Sequence, residues 1–340
     1  MNDPVSTKRQ IDWLAILRGW VVLLVVVVHS PTSYFGPLEK PFEIFNDFFI
    51  FRMPLFFFIS GFLLYYTKIR KNGDFSSIVK ERFPRILIPY IFITLSVFAV
   101  KLVAELFMNI ENPVDVSFTG IINMFIYPDN NPWSSLWFLH VIFIFFLCYP
   151  ILKFTLRKTY TAVLTFALLV LLHYFFPEEV GFLGLSKIFK YFVFFYFGLL
   201  FSRFELHQYV KRIDVVILSI LLIIGINFIR CDNYETIKYL LFPYSIAGIT
   251  LSIFFAKLCE KTTPNLFSSF RKYYYQIYIL GEFFQRGLLV VYKKYQTDDF
   301  SLLLLGFIPL SILLGIYGPV IVCKIAEKLN WKPLMKILGF

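Results

Sequence analysis

Ten mostly apolar runs constrain this chain more than any motif does, because each is about long enough to cross the roughly 30 Å hydrocarbon core of a bilayer. They lie at 11–29, 47–67, 86–108, 135–152, 160–176, 188–202, 213–229, 239–257, 273–292 and 301–323. Backbone surrounded by lipid must satisfy its own hydrogen bonds, so such runs read as helices. The predicted fold is all-α: a polytopic membrane protein of about ten transmembrane helices. Composition agrees, with 58% hydrophobic and 16% charged residues, against about 25% charged in soluble domains. No linker, repeat or low-complexity tract divides residues 1–340, which read as a single transmembrane domain. The run from Ile11 to Val28 is too long for a typical signal-peptide core, so no cleaved leader is expected.

The net charge of +11 would suggest a nucleic-acid partner in a soluble protein, but its placement follows the positive-inside rule. With the N-terminus inside, the inner segments hold 22 of the 33 Lys and Arg residues. The outer segments hold seven (Lys40, Lys187, Lys190, Arg230, Lys238, Lys293 and Lys294), and Arg18, Arg52, Lys101 and Arg286 fall within runs. This balance predicts both termini in the cytosol and no nucleic-acid partner. Cys148, Cys231, Cys259 and Cys323 are scattered, which suggests neither a zinc site nor a disulfide framework. The four His are dispersed too, so no metal is expected.

Ionisable groups inside a span are costly and mark a pathway, a polar cavity or a site. Arg18 interrupts the first run and His29 ends it. Their spacing places them about 20° apart in azimuth and roughly 16 Å apart along one helical stripe. One face thus carries a cation toward the cytosol and an imidazole toward the outside. The plainer alternative is a snorkelling arginine and an interfacial histidine. A second cluster, Lys80, Arg82 and Arg85, precedes the third run. Guanidinium groups there suit phosphate recognition, although the positive-inside bias also produces such clusters.

With other features in register, these residues resemble the acyltransferase-3 family. The features are Arg18-x10-His29, the FFFISGFLL run (Phe56 to Leu64), Arg82-x-x-Arg85, and Ser135-Leu-Trp-Phe-Leu139 followed by Tyr149-Pro150. Tyr275-Gln-Ile-Tyr278 adds a fifth. The resemblance spans nearly the whole chain and implies a ten-helix enzyme that acylates extracytoplasmic glycans. Many members carry a Glu pair in the fourth span, where this chain has Ile142 and Phe143. The very apolar FRMPLFFFISGFLL stretch (Phe51 to Leu64) more closely resembles the shorter, sugar O-acetylase-like branch, for which no extra soluble esterase-like domain is expected.

The resemblance implies an acyl-CoA donor, acetyl-CoA or another, whose phosphates dock on Lys80, Arg82 and Arg85. Arg18 would stabilise the donor or fix its depth. His29 would be the general base on an acceptor hydroxyl or would carry the acyl group covalently. The acceptor would be a cell-envelope glycan or lipid-linked sugar at a bacterial cytoplasmic membrane. Glu282, Gln285 and Arg286 sit at i, i+3 and i+4 in the ninth run, where a Glu–Arg pair is either structural or lines the acceptor pocket. Arg52, beside Asn46 and Asp47, and the outer residues Trp133, Tyr34 and Tyr127 are candidates for sugar contact, as is Trp137. His140 reads as a packing histidine, His173 and His207 as peripheral, and Lys101 with Glu105 as a pair. The alternative function is a transporter or exporter of polysaccharide or lipid-linked sugar. Such proteins show matching broken helices in two halves, and none is apparent here. A purely structural membrane partner would leave Arg18 and His29 without a purpose.

Overall fold

The computed structural model describes residues 4–30, 36–107, 113–229, 234–294 and 306–340; Tyr34, Arg230 and Cys231 lie outside them. The described residues are helical and contain no strand. In chain order the helices are α1 (Pro4–Val28), α2 (Gly36–Phe48), α3 (Arg52–Leu64), α4 (Phe75–Glu105), α5 (Phe118–Ile126), α6 (Trp137–Leu147) and α7 (Tyr149–Thr155). They continue as α8 (Thr159–Phe175), α9 (Leu185–Arg203), α10 (Ile213–Ile229), α11 (Tyr234–Thr262), α12 (Tyr274–Lys294), α13 (Ile308–Lys328) and α14 (Lys332–Ile337).

Among the described residues, five stretches are long and apolar enough to cross a membrane: Phe42–Ile69, Phe75–Glu105, Phe182–Arg203, Tyr239–Thr262 and Ile308–Lys328. α6 and α7 make a sixth when joined, across a 56° bend. Pro150 stands in the first turn of α7 and supplies no N–H to continue the ladder of α6, which accounts for the break. α8 and α10 are apolar but only 17 residues each. Large side chains point outward along these helices. Ile91, Phe92, Leu95, Val100 and Val103 do so on α4, and Leu218, Leu221 and Ile224 on α10. Contiguous apolar surface of this extent is disfavoured in water and at home in lipid. Hydroxyl groups along the apolar segments turn back on carbonyls one turn earlier: Ser60 on Phe56, Thr67 on Leu63, Ser219 on Val215 and Ser252 on Gly248.

The chain forms two compact units, each discontinuous in sequence. One comprises residues 1–60 and 204–330, and the other 61–203 and 331–340. In the first, α1 packs on α11, α12 and α13, and α10 packs on α11. Small residues let the backbones approach, the usual route to helix association in lipid. A Cβ on Gly281 would lie 2.7 Å from the Gly315 carbonyl oxygen, so α12 and α13 meet with no side chain between them. Lys272 and Tyr273, in the turn just before α12, both bind Glu327 near the end of α13, each at 2.8 Å, so the pair is antiparallel. Trp20 donates to Ser252 at 3.2 Å, joining α1 to α11.

In the second unit α4 packs on α6 and α14, and α9 packs on α6 and α8. Phe145 stacks on Phe192 with centroids 4.5 Å apart. Asn131 is buried and donates to Thr94 at 2.9 Å, while its oxygen accepts the Trp133 N–H at 2.9 Å. This one amide ties the segment before α6 to α4.

Candidate active site

Helix α12 carries Tyr274, Tyr278, Glu282 and Arg286 at four-residue intervals, so all four share a face. α1 lies alongside this helix in the first unit. At one end the Arg18 guanidinium carbon sits 5.3 Å from the Tyr274 ring centroid, a cation–π arrangement. Phe56 of α3 packs on Tyr274 and Tyr278 with centroids 6.0 and 5.4 Å away. At the other end His29 meets Glu282. Because Arg18 meets the start of the ladder and His29 its third rung, α1 and α12 run parallel.

The His29 ring is held by its own helix. Its Nδ1 lies 2.8 Å from the Val25 carbonyl, which also accepts the His29 backbone N–H at 3.1 Å. A carbonyl can only accept, so Nδ1 carries the proton and neutral His29 presents the lone pair of Nε2. That Nε2 faces Glu282 Oε2 at 4.0 Å. The separation exceeds a hydrogen bond, so in this arrangement the carboxylate acts on the ring through charge. Glu282 is only 7% exposed. Arg286 fixes it from the other side, Nε at 2.7 Å and Nη2 at 2.6 Å from Oε1. Gln285, fully buried, donates to the Val26 carbonyl at 2.9 Å and fastens α12 to the last turn of α1. Arg18 keeps its Nε buried, with no acceptor among the described residues.

Lys80, Arg82 and Arg85 lie in the second unit on the first turns of α4. Lys80 and Arg85 are exposed, and Arg82 is half-buried with its guanidinium carbon 5.9 Å from the Phe146 ring. Trp137 packs on Tyr191 at 5.2 Å with the Lys187 ammonium 6.0 Å from its ring, and Lys187 also pairs with Asp129. Arg52 donates to the carbonyls of Asn46 and Phe49 at 3.3 and 3.2 Å, which steadies the turn between α2 and α3. His140 and His173 bond the carbonyls of Leu183 and Lys190 at 3.1 and 2.7 Å, and His207 stacks on Trp13 at 6.4 Å. Glu105 accepts the Val114 backbone N–H at 2.7 Å.

Ile142 is buried, and Phe143 packs edge-on against Phe83 at 4.8 Å, so that part of α6 is apolar packing. The carboxylate beside an imidazole is Glu282, on α12. Two partners escape a reading of the sequence. Tyr274, rather than its neighbour Tyr275, carries Arg18, a choice the four-residue ladder up to Arg286 would have indicated. The Val25 carbonyl that sets the His29 tautomer leaves no signal in residue identity.

A family model described as an acyltransferase domain matches residues 11–323. No curated protein and no solved structure matches the chain.

Proposed function

This chain belongs to the acyltransferase-3 family and is a membrane acyltransferase; from that premise we propose that it moves an acyl group, most simply acetyl, from cytosolic acyl-CoA to a hydroxyl of an extracytoplasmic or lipid-linked glycan. The observation that carries this reading is the His29–Glu282–Arg286 array. The Nε2 lone pair takes the proton of the acceptor hydroxyl as its oxygen attacks the thioester carbonyl. The carbon–sulfur bond then breaks, and the CoA thiolate takes up the proton from the imidazolium. Glu282 stabilises that transient cation, and Arg286 holds the carboxylate aimed.

The membrane topology of this proposal has ten spans with both termini in the cytosol of a bacterial cell. The parallel course of α1 and α12, the first and ninth spans, supports it, as does the antiparallel pairing of α12 with α13. Residues 1–340 act as one domain in this reading, since each compact unit draws on separated parts of the chain. Lys80, Arg82 and Arg85 are assigned to the donor's phosphates, where forked guanidinium groups bind phosphate oxygens in pairs. Arg18, with its buried Nε, is assigned to stabilising the donor. Arg52, Trp133 and Trp137 are the residues assigned to the sugar acceptor.

Transfer of label from acyl-CoA to glycan by membranes containing the protein tests the reading. Arg82→Ala is expected to raise the acyl-CoA KM by about tenfold, the scale of one charged hydrogen bond. An unchanged KM would remove the donor assignment. Glu282→Gln keeps the shape and removes the charge, and should lower kcat by roughly ten- to a hundredfold, in line with losing one charge-assisted contact to a developing cation. A kcat within twofold of wild type would show that Glu282 only anchors Arg286.

A further inference from the structure

The turn between α3 and α4 is held in place by residues that the reaction itself does not use. After α3 the chain makes a π-helical turn, Tyr65–Ile69, and then reaches α4 through Arg70, Lys71, Asn72, Gly73 and Asp74. Asn72 has φ of 54°, in the left-handed region that asparagine tolerates better than most other non-glycine residues. The Gly73 carbonyl accepts two donors from α7, the Tyr149 hydroxyl at 2.6 Å and the Lys153 ammonium at 3.0 Å. Lys153 also reaches the Asn72 carbonyl at 3.4 Å. From the other side Lys68 binds Glu81 at 2.6 Å, and Ser77 closes on the Asp74 carbonyl at 2.9 Å.

Two consequences follow for the basic start of α4. Glu81 stands between Lys80 and Arg82 in sequence, and its pairing with Lys68 offsets a negative charge that would repel an anion there. The same continuous stretch of α6 and α7 also packs Phe146 against Arg82 while Tyr149 and Lys153 grip the turn. Direction of α4 and placement of Arg82 are thus both set by residues flanking the bend between α6 and α7.

We propose that Tyr149 and Lys153 are positioning residues that clasp the Gly73 carbonyl and so hold Lys80, Arg82 and Arg85 in a preformed arrangement for the phosphates of a nucleotide-bearing acyl donor. This inference rests on the donor assignment made above. Tyr149 is buried and Lys153 half-buried, and neither needs to touch the donor. A preformed cluster binds without first ordering its own side chains and turn, so loosening the clasp weakens binding and spares the chemical step.

Steady-state kinetics in lipid nanodiscs test this, with adenosine 3′,5′-bisphosphate as a competitive probe of the phosphate site. Tyr149→Phe and Lys153→Met are each expected to raise the acyl-CoA KM and the bisphosphate Ki by about three- to tenfold, the range of one lost hydrogen bond. Their kcat should stay near that of wild type. A fall in kcat at constant KM, or unchanged KM and Ki in Lys153→Met, would overturn the proposal. Lys153→Met decides the matter if Tyr149→Phe does not fold. Arg82→Ala separates the two levels. If it leaves KM unchanged, the donor assignment fails; if it raises KM while both clasp variants do not, only the positioning role fails.

Discussion

Replacing His29 with alanine is expected to lower kcat for acyl transfer by about 10²- to 10⁴-fold, the contribution typical of a positioned general base. The variant should remain folded, because His29 follows the last residue of α1 and its side chain is 30% exposed. The lost group is the imidazole whose Nε2 faces the buried Glu282 carboxylate while its Nδ1 is held by the Val25 carbonyl. Glutamine at position 29 restores a polar side chain but not a proton acceptor of matching basicity, so it should not rescue the rate. Full label incorporation by His29→Ala would overturn the mechanism. Incubation with acyl-CoA alone adds a second discrimination. A general base leaves the protein unlabelled, whereas an acyl carrier accumulates an acylated histidine in the absence of acceptor.

Gly61→Ala is the substitution expected to damage the fold most. A Cβ at this position would lie 1.9 Å from the carbonyl oxygen of Phe195 and 2.9 Å from its carbon. Both atoms belong to the backbone of α9, so relief requires moving one helix away from the other. Overpacking in a dense core costs about 1–3 kcal/mol where side chains can adjust, and more where the obstacle is backbone. We expect loss of at least about 3 kcal/mol, read as a collapsed folded fraction on size-exclusion chromatography in mild detergent. Gly225→Ala is the matched control. Nothing lies within 4 Å of its Cβ position on α10, and alanine favours a helix over glycine by roughly 1 kcal/mol. That variant should be as stable as wild type or slightly more so. Equal behaviour of the two variants would contradict the close approach of α3 and α9.

Both predictions draw on residues whose importance was unequally visible in the chain. Arg18 and His29 stand out at once, because ionisable groups in an apolar run are expensive and their spacing places them on one stripe. The structure keeps them on one side of α1, facing α12. Gly61 sits inside the FFFISGFLL run, and nothing in that run distinguishes a glycine pressed against a neighbouring backbone from Gly225, which is pressed against nothing. Glu282 and Arg286 are recognisable as an i, i+4 pair from spacing alone. That the second carboxylate oxygen turns to His29 depends on two helices far apart in sequence lying parallel.

Ile142 and Phe143 give the same lesson from the opposite side. Their apolar identity shows at once that no carboxylate acts from α6. Only the packed bundle offers Glu282 on α12 as the carboxylate beside the imidazole. Arg52 adds a role that its charge alone does not show: it donates to the carbonyls of Asn46 and Phe49.

Hydrophobic runs and lysine–arginine placement by themselves determined that this is a helical membrane protein, and a motif set in register made it an acyltransferase. Those properties are additive along the chain, since each residue's transfer between water and lipid is set largely by its own side chain. The approach of His29 to Glu282, the glycine contacts and the clasp on Gly73 were decided by tertiary structure. Each depends on the distance and direction between atoms on different helices, and hydrogen bonds and close packing change steeply over a fraction of an ångström.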